Sequence, residues 1–559
     1  MSYSRIKMKA TETYIKTLIA RSQSLKSDRG NFESHWQEIA ELIYPEHANF
    51  TFTASPGEKR NSKVFDSVPI HANQLLASGL FSLLTSSASP WFHIEPVDAN
   101  MMSTREISIY LNEVSKIMYH EINNPVAGFS SAVHEGYLEY GAFGNLTIFV
   151  EENLKKSSLR FLSLPLYECY YIENAEGIVD TMYREYTRTA GFLMRKFGVD
   201  NLSEKVRKLI ADDKLDTKVK CIHVVIPRDI GNHYSIKSTD LPFASLYIDV
   251  ENKHLMQEKG FHELPFMAAR FYKSTHETYG RGCGSTALSD TKMLMRVAQV
   301  TIRAAQKTVD PPIILPDSGF LRPLRTTPGG LNYYQRGRMN SKRDIDILPT
   351  GDPKLGVEYS KLLHEKIREV FFVNQLQLNT GPQMTATEVM QRTEEKLRLL
   401  GPLLGRIQTE LLGPLIQRVY GLLRRGGKLP EQPAIMNNVP IKIVYTSPIA
   451  RAQEQVEANG LMRALGILEP MLKYNPEMSD IFDTDEMGRG VFEMFSVNQR
   501  YLKDEKIVKG IRESRRKAAE EKQNAENLRA SGQGADSMVR AGAAAQESGL
   551  TGDNFGVLQ

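Results

Sequence analysis

The stretch that decides the fold is Asn374–Arg425, which reads NQLQLNTGPQMTATEVMQRTEEKLRLLGPLLGRIQTELLGPLIQRVYGLLRR. Its first part, as far as Gln383, is rich in amides and turn formers. A capping box at Thr385–Glu388 follows, in which the threonine hydroxyl and the glutamate carboxylate each bond a free amide at a helix start. Apolar residues then recur at helical spacing, while Gly401-Pro402 and Gly413-Pro414 each remove an intrahelical donor. The stretch therefore predicts a loop followed by a long helix with two bends.

The composition is that of a large folded protein without a dominant charge. The 559 residues are 41% hydrophobic and 24% charged, which predicts several packed modules. The net charge of +4 is small beside 70 basic and 66 acidic residues. A protein that grips nucleic acid by neutralising phosphates carries a larger basic excess. The balance argues against tight, stationary binding of DNA.

The cysteines and the N-terminus indicate the compartment. Cys169, Cys221 and Cys283 lie far apart, which predicts reduced thiols rather than disulfides or paired metal ligands. The N-terminus is charged and lacks the apolar centre of a secretory signal. There is no run of 18 apolar residues, the minimum for a membrane span. We expect a soluble protein of the cytoplasm that makes no use of a membrane.

The first half of the chain predicts helices followed by sheet. Residues up to about Tyr44 show helical spacing that Pro45 ends, and further helices are predicted at Pro69–Leu84, Glu106–Ile122 and Ser130–Tyr140. From Asn145 the period changes to two. Strands are predicted at Leu146–Val150, Leu159–Leu164, Tyr170–Ile172, Ile178–Tyr186, Cys221–Ile226, Ala244–Val250 and Pro265–Tyr272, with helical inserts at Ala190–Phe197 and Leu202–Leu209. The pattern predicts an α+β protein, predominantly helical, with an antiparallel sheet.

Two further helices enclose a compact insert. The helix Ser285–Thr308 carries Lys292, Arg296, Arg303 and Lys307 within one narrow arc, either as a solvated face or as a basic stripe facing a partner or nucleic acid. The second helix is Leu355–Val373. Between them, Pro311–Pro353 is rich in Gly, Pro, Arg and Tyr, with short strands predicted at Ile313–Leu315, Leu331–Gln335 and Ile345–Leu348. Its basic and aromatic residues are Arg322, Arg325, Tyr333, Tyr334, Arg336, Arg338, Lys342 and Arg343. The pattern predicts a helical hairpin with the insert at its tip.

The C-terminal part becomes progressively more polar. A strand is predicted at Pro440–Tyr445, and helices follow from Pro448 onward. The segment Lys503–Arg529 is densely charged with sparse apolar anchors, so we expect it either to pack in an oligomer or to fray. Ala530–Gln559 is rich in Gly, Ala, Ser and Gln, which predicts a flexible tail.

No sequence pattern indicates catalysis. Gly280-Arg-Gly-Cys-Gly-Ser-Thr286 places glycines before a helix but lacks the Gly-Lys-Ser/Thr ending that contacts phosphates. A helix start adapted to close packing explains it better. The histidines are scattered and none pairs with a second His or Cys at ligand spacing. We therefore predict no catalytic residue, no metal site and no cofactor.

Four segments resemble one protein family. They are DSVPIHANQLLASGLFSLLTSSASPWF at Asp66–Phe92, YGRGCGSTALSDTKMLMRVAQ at Tyr279–Gln299, VDPPIILPD at Val309–Asp317 and MTATEV at Met384–Val389. In this order they resemble the head-to-tail connector (portal) family of short-tailed bacteriophages. The resemblance extends from about Trp36 to about Leu423.

The resemblance implies a ring of subunits, twelve in number, at one capsid vertex. It implies a wing at 1–284, a first stem helix at 285–310, a clip at 311–353, a second stem helix at 354–373 and a tunnel loop at 374–385. A long kinked helix and return strand at 386–450, a helical crown at 451–529 and the tail at 530–559 complete the subunit. The loop residues Asn374, Gln375, Gln377, Asn379, Thr380 and Gln383 would line the DNA channel, or alternatively only cap a turn.

The implied function is that of a conduit for genome packaging and ejection. The partners would be other copies of the chain, double-stranded DNA, the terminase packaging motor, tail adaptors, and capsid and scaffolding proteins, in the virion and in the host cytoplasm during assembly. Neutral amides suit a channel through which DNA slides, because they exchange hydrogen bonds without the grip of a dense basic wall. Two alternatives remain open, a non-channel virion adaptor or scaffold and a nucleic-acid-processing enzyme.

Overall fold

The structure is a computed structural model. It describes residues 12–53, 55, 57–98, 105–153, 158–228, 237–309, 313–314, 346–347, 353–376, 401, 403–436, 440–446, 488 and 507–524. The chain divides into two units. The first comprises Met1–Ala99 and Tyr110–Ala452, and the second comprises Asn100–Ile109 and Gln453–Gln559.

The described helices follow the amphipathic segments of the sequence. They are α1 (Glu12–Asp28), α2 (Gly30–Ile43), α3 (Val68–Leu84), α4 (Arg105–Ile122), α5 (Phe129–Phe143), α6 (Ala190–Phe197), α7 (Glu204–Ala211), α8 (Cys283–Val309), α9 (Pro353–Val370), α10 (Val373–Leu376) and α11 (Gly413–Arg425). In the second unit, 507–524 is also helical, and most of its side chains are exposed.

The strands form antiparallel sheets throughout the described residues. They are β1 (Phe92–Pro96), β2 (Asn145–Asn153), β3 (Ser158–Ser163), β4 (Cys169–Glu173), β5 (Val179–Thr189), β6 (Lys218–Pro227), β7 (Phe243–Asp249), β8 (His254–Phe261), β9 (Phe266–Arg270), β10 (Ile313–Ile314), β11 (Asp346–Ile347) and β12 (Ile441–Tyr445). The largest sheet has the order β4-β5-β6-β7-β8 and a smaller one the order β3-β2-β9. β12 returns from the far end of the unit to pair with β1, and β10 pairs with β11. The predicted α+β class is confirmed as a mixed helical and sheet protein.

The five-stranded sheet has a buried core on each face. On one face α1 contributes Ile15 and Leu18 beside Tyr170, Val224 and Ile248 of the strands. On the other, α6 and α7 cover the sheet through a cluster that includes Leu193, Phe197, Val206, Val219 and Tyr247. The junction of α1 and α2 is fixed by Arg29, whose guanidinium lies 3.8 Å from the centre of the Tyr170 ring. The helical part and the sheet part of this unit therefore share one packed body.

Two features of the predicted helices differ from the sequence analysis. α9 ends at Val370 rather than at Val373, and Asn374 and Gln375 of the predicted loop lie in the short helix α10. Just before Gly413-Pro414, where a bend is predicted, the chain forms a single π-helical turn, Gln408–Leu412, which continues into α11. Because proline has no amide hydrogen, the wider turn lets the chain pass Pro414 without breaking the helix.

Candidate functional site

The two helices α8 and α9 form the predicted antiparallel hairpin. They approach most closely where Gly356 lies against Thr301, since a Cβ atom at position 356 would overlap the threonine side chain. Farther along, the Tyr359 hydroxyl donates to Met293 Sδ at 3.0 Å. Leu363 is buried on the α8 side. Beyond the hairpin, β10 and β11 pair at the positions predicted for the first and last strands of the insert.

The sides of α8 that do not face α9 carry two separate apolar flanks. Successive residues turn by about 100° around a helix, so Met293 and Val300 lie about a quarter-turn to one side of Thr301. Ile302 and Val309 lie a similar angle to the other side. All four are exposed, with fractions of 47% for Met293, 57% for Val300, 47% for Ile302 and 86% for Val309. Met293 also contacts Tyr359 of α9, so it lies at the border between the α9 contact and its exposed flank.

The predicted basic stripe lies on the remaining side of α8. Lys292, Arg296, Arg303 and Lys307 are all exposed and lie within one arc opposite α9. Lys292 forms an ion pair with Glu38 of α2, 2.7 Å away. The α8 segment contains one acidic residue, Asp290, which lies on the α9 side. The structure thus brings the four residues together on one side of α8, where Glu38 of α2 pairs with Lys292, and what that surface faces stays a prediction.

The outer side of α9 has a different character. Its exposed charges alternate in sign: Lys354, Glu358, Lys361, Glu365, Lys366, Arg368 and Glu369. A surface with charges of both signs attracts a polyanion only weakly, because the fields of neighbouring opposite charges cancel. The two helices of the hairpin therefore present different surfaces. α8 carries a basic side, and α9 carries a balanced side, on which positive and negative charges are mixed.

The glycine-rich segment before α8 is a packing device. The carbonyl of Gly280 accepts from Asn145 Nδ2 at 2.9 Å, and its amide donates to Asn145 Oδ1 at 2.8 Å. A Cβ atom at Gly282 would lie 2.6 Å from the backbone of both Gly141 and Gly144. The space that a phosphate would need is filled by the end of α5. The preference for close packing over a nucleotide cradle is confirmed.

The predicted loop and clip residues are only partly described. Asn374 is exposed and Gln375 is partly buried in α10. Gln377, Asn379, Thr380 and Gln383 lie outside the described residues. So do all the clip residues, namely Arg322, Arg325, Tyr333, Tyr334, Arg336, Arg338, Lys342 and Arg343. Their roles therefore remain predictions.

A buried ion cluster joins the smaller sheet to the helix that leads into α11, and the sequence analysis missed it. Arg270 of β9 is 2% exposed and binds Glu410 of the π-helical turn through Nη2 at 2.8 Å and Nε at 3.1 Å. The same guanidinium contacts Glu173 of β4, which also pairs with Lys273. No local pattern pairs positions that lie 140 residues apart. The cluster fixes the long helix to two sheets.

The thiols and the possible metal ligands of the described residues bear on the sequence predictions. Burial raises the pKa of the Cys169 and Cys221 thiols to about 12, so neither is a thiolate at neutral pH. In the described part of the chain, no three His, Cys, Asp or Glu side chains are grouped so that they could hold a metal ion. The same residues include no helix with the length and apolarity of a membrane span.

The comparisons with known proteins bear on the family resemblance of the four sequence segments. The chain matches the family described as bacteriophage head to tail connecting protein over residues 15–502. It therefore belongs to that family, and the predicted resemblance is confirmed. Membership gives the chain a connector function at the junction of phage head and tail, as the sequence predicted.

Two relatives are named as portal proteins. The chain is 28% identical over 537 residues to the portal protein of Salmonella phage epsilon15, covering 94% of this chain and 96% of that protein. It is 28% identical over 545 residues to the probable portal protein of Bordetella phage BPP-1, covering 95% and 96%. A chain from the virion of a native gene transfer agent particle aligns with a TM-score of 0.33 and 11% identity, over 72% of this chain and 86% of that chain. Similarity at that level does not establish a shared fold.

Proposed function

We propose that the chain assembles into a closed ring at one capsid vertex, where it forms the conduit through which the genome enters and leaves. The α8–α9 hairpin is the stem, 311–353 the clip, and the N-terminal and sheet-containing region the wing. The ring is a dodecamer in this proposal, by analogy with the family. The family membership and the two portal relatives support the assignment.

The observation that carries the ring is the pair of apolar flanks on α8. A closed ring of identical subunits needs two different complementary surfaces on each copy, because each copy meets one neighbour on either side. The flank of Met293 and Val300 and the flank of Ile302 and Val309 meet that requirement. A monomer gains nothing from exposing both, since each costs hydrophobic free energy in water.

The heights of the two flanks also constrain the stem. They are offset by nine residues, which is about 13 Å along a helix. Rotation about the ring axis moves a subunit without shifting it along that axis. The flank of one copy therefore reaches the opposite flank of the next only if the stem helices are tilted, so that the lower part of one crosses the upper part of its neighbour.

With neighbours on both flanks, the basic side of α8 faces the channel and the balanced side of α9 faces outward. Lys292 is neutralised by Glu38, which leaves Arg296, Arg303 and Lys307 for the DNA backbone. Three cations per subunit attract phosphates, while the gaps between them keep the grip weak enough for movement. Asn374, Gln375, Gln377, Asn379, Thr380 and Gln383 extend the lining with neutral amides.

The remaining surfaces would meet the other components of the virion. The clip presents the basic and aromatic residues to the terminase motor during packaging and then to tail adaptors. The wing meets the capsid and scaffolding proteins, and the crown at 451–529 completes the subunit beyond the long helix. These assignments rest on the family resemblance and on the order of the segments in the chain.

The test uses two substitutions, one on each flank. Val300→Asp and Ile302→Asp each place a charge in one proposed contact, and Gln306→Asp on the basic side is the matched control. We expect the control to form rings in negative-stain images and by native mass spectrometry, and each flank variant to fail. Mixing the two flank variants should give dimers and no rings, because only one pair of intact flanks remains.

Ring formation by Val300→Asp alone would remove the basis for the interface. A non-channel adaptor would show no closed ring with the unchanged chain. A nucleic-acid-processing enzyme would show metal-dependent nuclease or ATPase activity in the same preparation, which the portal assignment does not predict.

A further inference from the structure

The end of the stem helix α9 is broken at a residue that does not favour a break. Phe372 has a φ of 55°, in the left-handed region where a helix usually ends on glycine. Its amide donates to the Glu369 carbonyl at 3.0 Å, which closes the last turn of α9. The Phe372 carbonyl then accepts from Gln375 and Leu376, both at 3.1 Å, to start α10. A phenylalanine in this conformation is strained, so something outside α9 must hold it there.

The restraint is a notch in α3. A Cβ atom at Gly79 would lie 2.8 Å from Leu376 Cδ1 and 2.9 Å from Cδ2. The leucine side chain therefore occupies the place that any other residue at position 79 would fill. Glycine weakens a helix interior, and here its absence of a side chain is what admits α10. Because α10 is a single turn, its docking depends on its side-chain contacts, namely Leu376 in the notch and Val373, which is 2% exposed.

Docking has a second cost. The Gln375 Oε1 atom is buried and has no hydrogen-bond donor among the residues that the structure describes. A buried, unsatisfied amide oxygen favours any arrangement that returns it to water. The strained Phe372 and the unsatisfied Gln375 thus act in the same direction, against docking, while Leu376 in the notch and the buried Val373 act for it.

The sequence offers an alternative arrangement with neither cost. Residues 368–376 contain no glycine or proline, so α9 can continue through Phe372 to Leu376 as one helix. The other contact of α9 with this region stays unchanged, because His364 Nε2 and Asp66 Oδ2, 2.7 Å apart, hold α9 to the start of α3. Only the part beyond Val370 has to move.

We propose that α10 is a two-state latch. In the docked state Leu376 fills the Gly79 notch and α9 is broken at Phe372; in the released state α9 and α10 form one continuous helix and the notch is empty. The chain leaves position 376 in a different direction in each state. The inference stands on these contacts and does not depend on ring assembly.

The state of the latch is measurable with a thiol placed at Gln375, whose side-chain oxygen is buried when α10 is docked. Gln375→Cys introduces a side chain that is more covered when α10 is docked than when it is released. The three native cysteines are buried and serve as an internal control for global unfolding. The rate at which a maleimide labels the introduced thiol in the full-length protein then reports the released population.

Three substitutions in that background test the proposal. Gly79→Ala should speed labelling of the introduced thiol by roughly five- to thirtyfold, because its methyl group displaces Leu376. Phe372→Gly should slow labelling by about fivefold, because glycine relieves the left-handed strain and disfavours the continuous helix. Gly405→Ala is the matched control and should leave the rate unchanged, since a Cβ atom there meets nothing within 4 Å.

Two results would overturn the latch. One is an unchanged rate in Gly79→Ala or a faster rate in Phe372→Gly. The other is equal acceleration of the introduced thiol and of Cys283, which shows general unfolding instead of local release. The labelling assay does not require ring assembly, so failure of the latch and failure of the portal assignment are separate outcomes.

Discussion

Replacing Arg270 by methionine is the substitution for which the structure gives the clearest magnitude. The change keeps most of the side-chain volume and removes a guanidinium that is 2% exposed. It leaves the carboxylates of Glu173 and Glu410, which are 20% and 19% exposed, without their main partner. Removing one member of a buried ion pair costs about 3–5 kcal/mol, mostly because the other charge stays buried.

The remaining contacts place the expected loss near the lower end of that range. Glu173 keeps Lys273, and Glu410 keeps the Arg270 backbone amide at 2.9 Å. We therefore expect Arg270→Met to lower the free energy of unfolding by about 3 kcal/mol. The assay is urea denaturation at a fixed protein concentration, because assembly would otherwise alter the apparent stability.

A second variant separates the charge effect from simple loss of packing. In Arg270→Met with Glu410→Leu, the stranded carboxylate is gone as well. Since replacing both members of a buried pair by apolar residues is often nearly neutral, the double variant should recover about 2 kcal/mol relative to the single one. If the double variant is instead less stable than Arg270→Met alone, the loss in Arg270→Met does not come from leaving the Glu410 carboxylate without a partner, and the reasoning fails.

Two further predictions concern other contacts of the same unit. Burial alone would lower the pKa of His47, but the hydrogen bond and charge of Glu139, 2.7 Å away, raise it above the ordinary 6.5. The pair therefore stabilises the fold fully below about pH 6.5 and loses its contribution as the pH rises through the raised pKa. The difference in unfolding free energy between the unchanged chain and His47→Gln should shrink as the pH rises above about 6.5, and a constant difference would contradict the prediction. Gly284→Ala places a Cβ atom 2.9 Å from Ile39 Cγ2 and against the backbone of α5, so it should cost about 1–3 kcal/mol in thermal or urea unfolding, while Gly405→Ala should be neutral or stabilising.

Much of the secondary structure could be predicted because local patterns determine it. The insert Ala190–Phe197 was predicted with the bounds that α6 has, since Thr189 caps it and Gly198 ends it. Strands with alternating apolar residues were found within a few positions. β8 was missed because it is an edge strand whose sequence, HLMQEKGF, contains charged residues and glycine, and its pairing with β7 depends on the backbone. Edge strands carry the weakest pattern because only one neighbour constrains them.

The features that matter most for the candidate site were not visible in the sequence. The break at Phe372 occurs without glycine or proline, so the helical spacing of the sequence predicted one helix through to Val373. The glycine against which Leu376 packs beyond the break, Gly79, lies about 300 positions away and looks like an ordinary small residue of an apolar helix. The Arg270 cluster is likewise set by tertiary contacts. The local propensities of residues predict helices and strands, whereas these features arise from contacts between helices and strands.

In the proposed function, the basic stripe would let a nearly neutral chain attract a polyanion. The net charge of the whole chain indicated only that DNA is not bound tightly, and it gave no information on where the positive charges lie. On α8 they are segregated from the acidic residues, while on α9 the two signs alternate. Since charges separated by more than about 10 Å are largely screened at physiological salt, a passing duplex would respond to the local surface of α8 and not to the sum over the subunit. A weak, local attraction repeated around a ring is what a conduit requires, because every phosphate that is held must also be released.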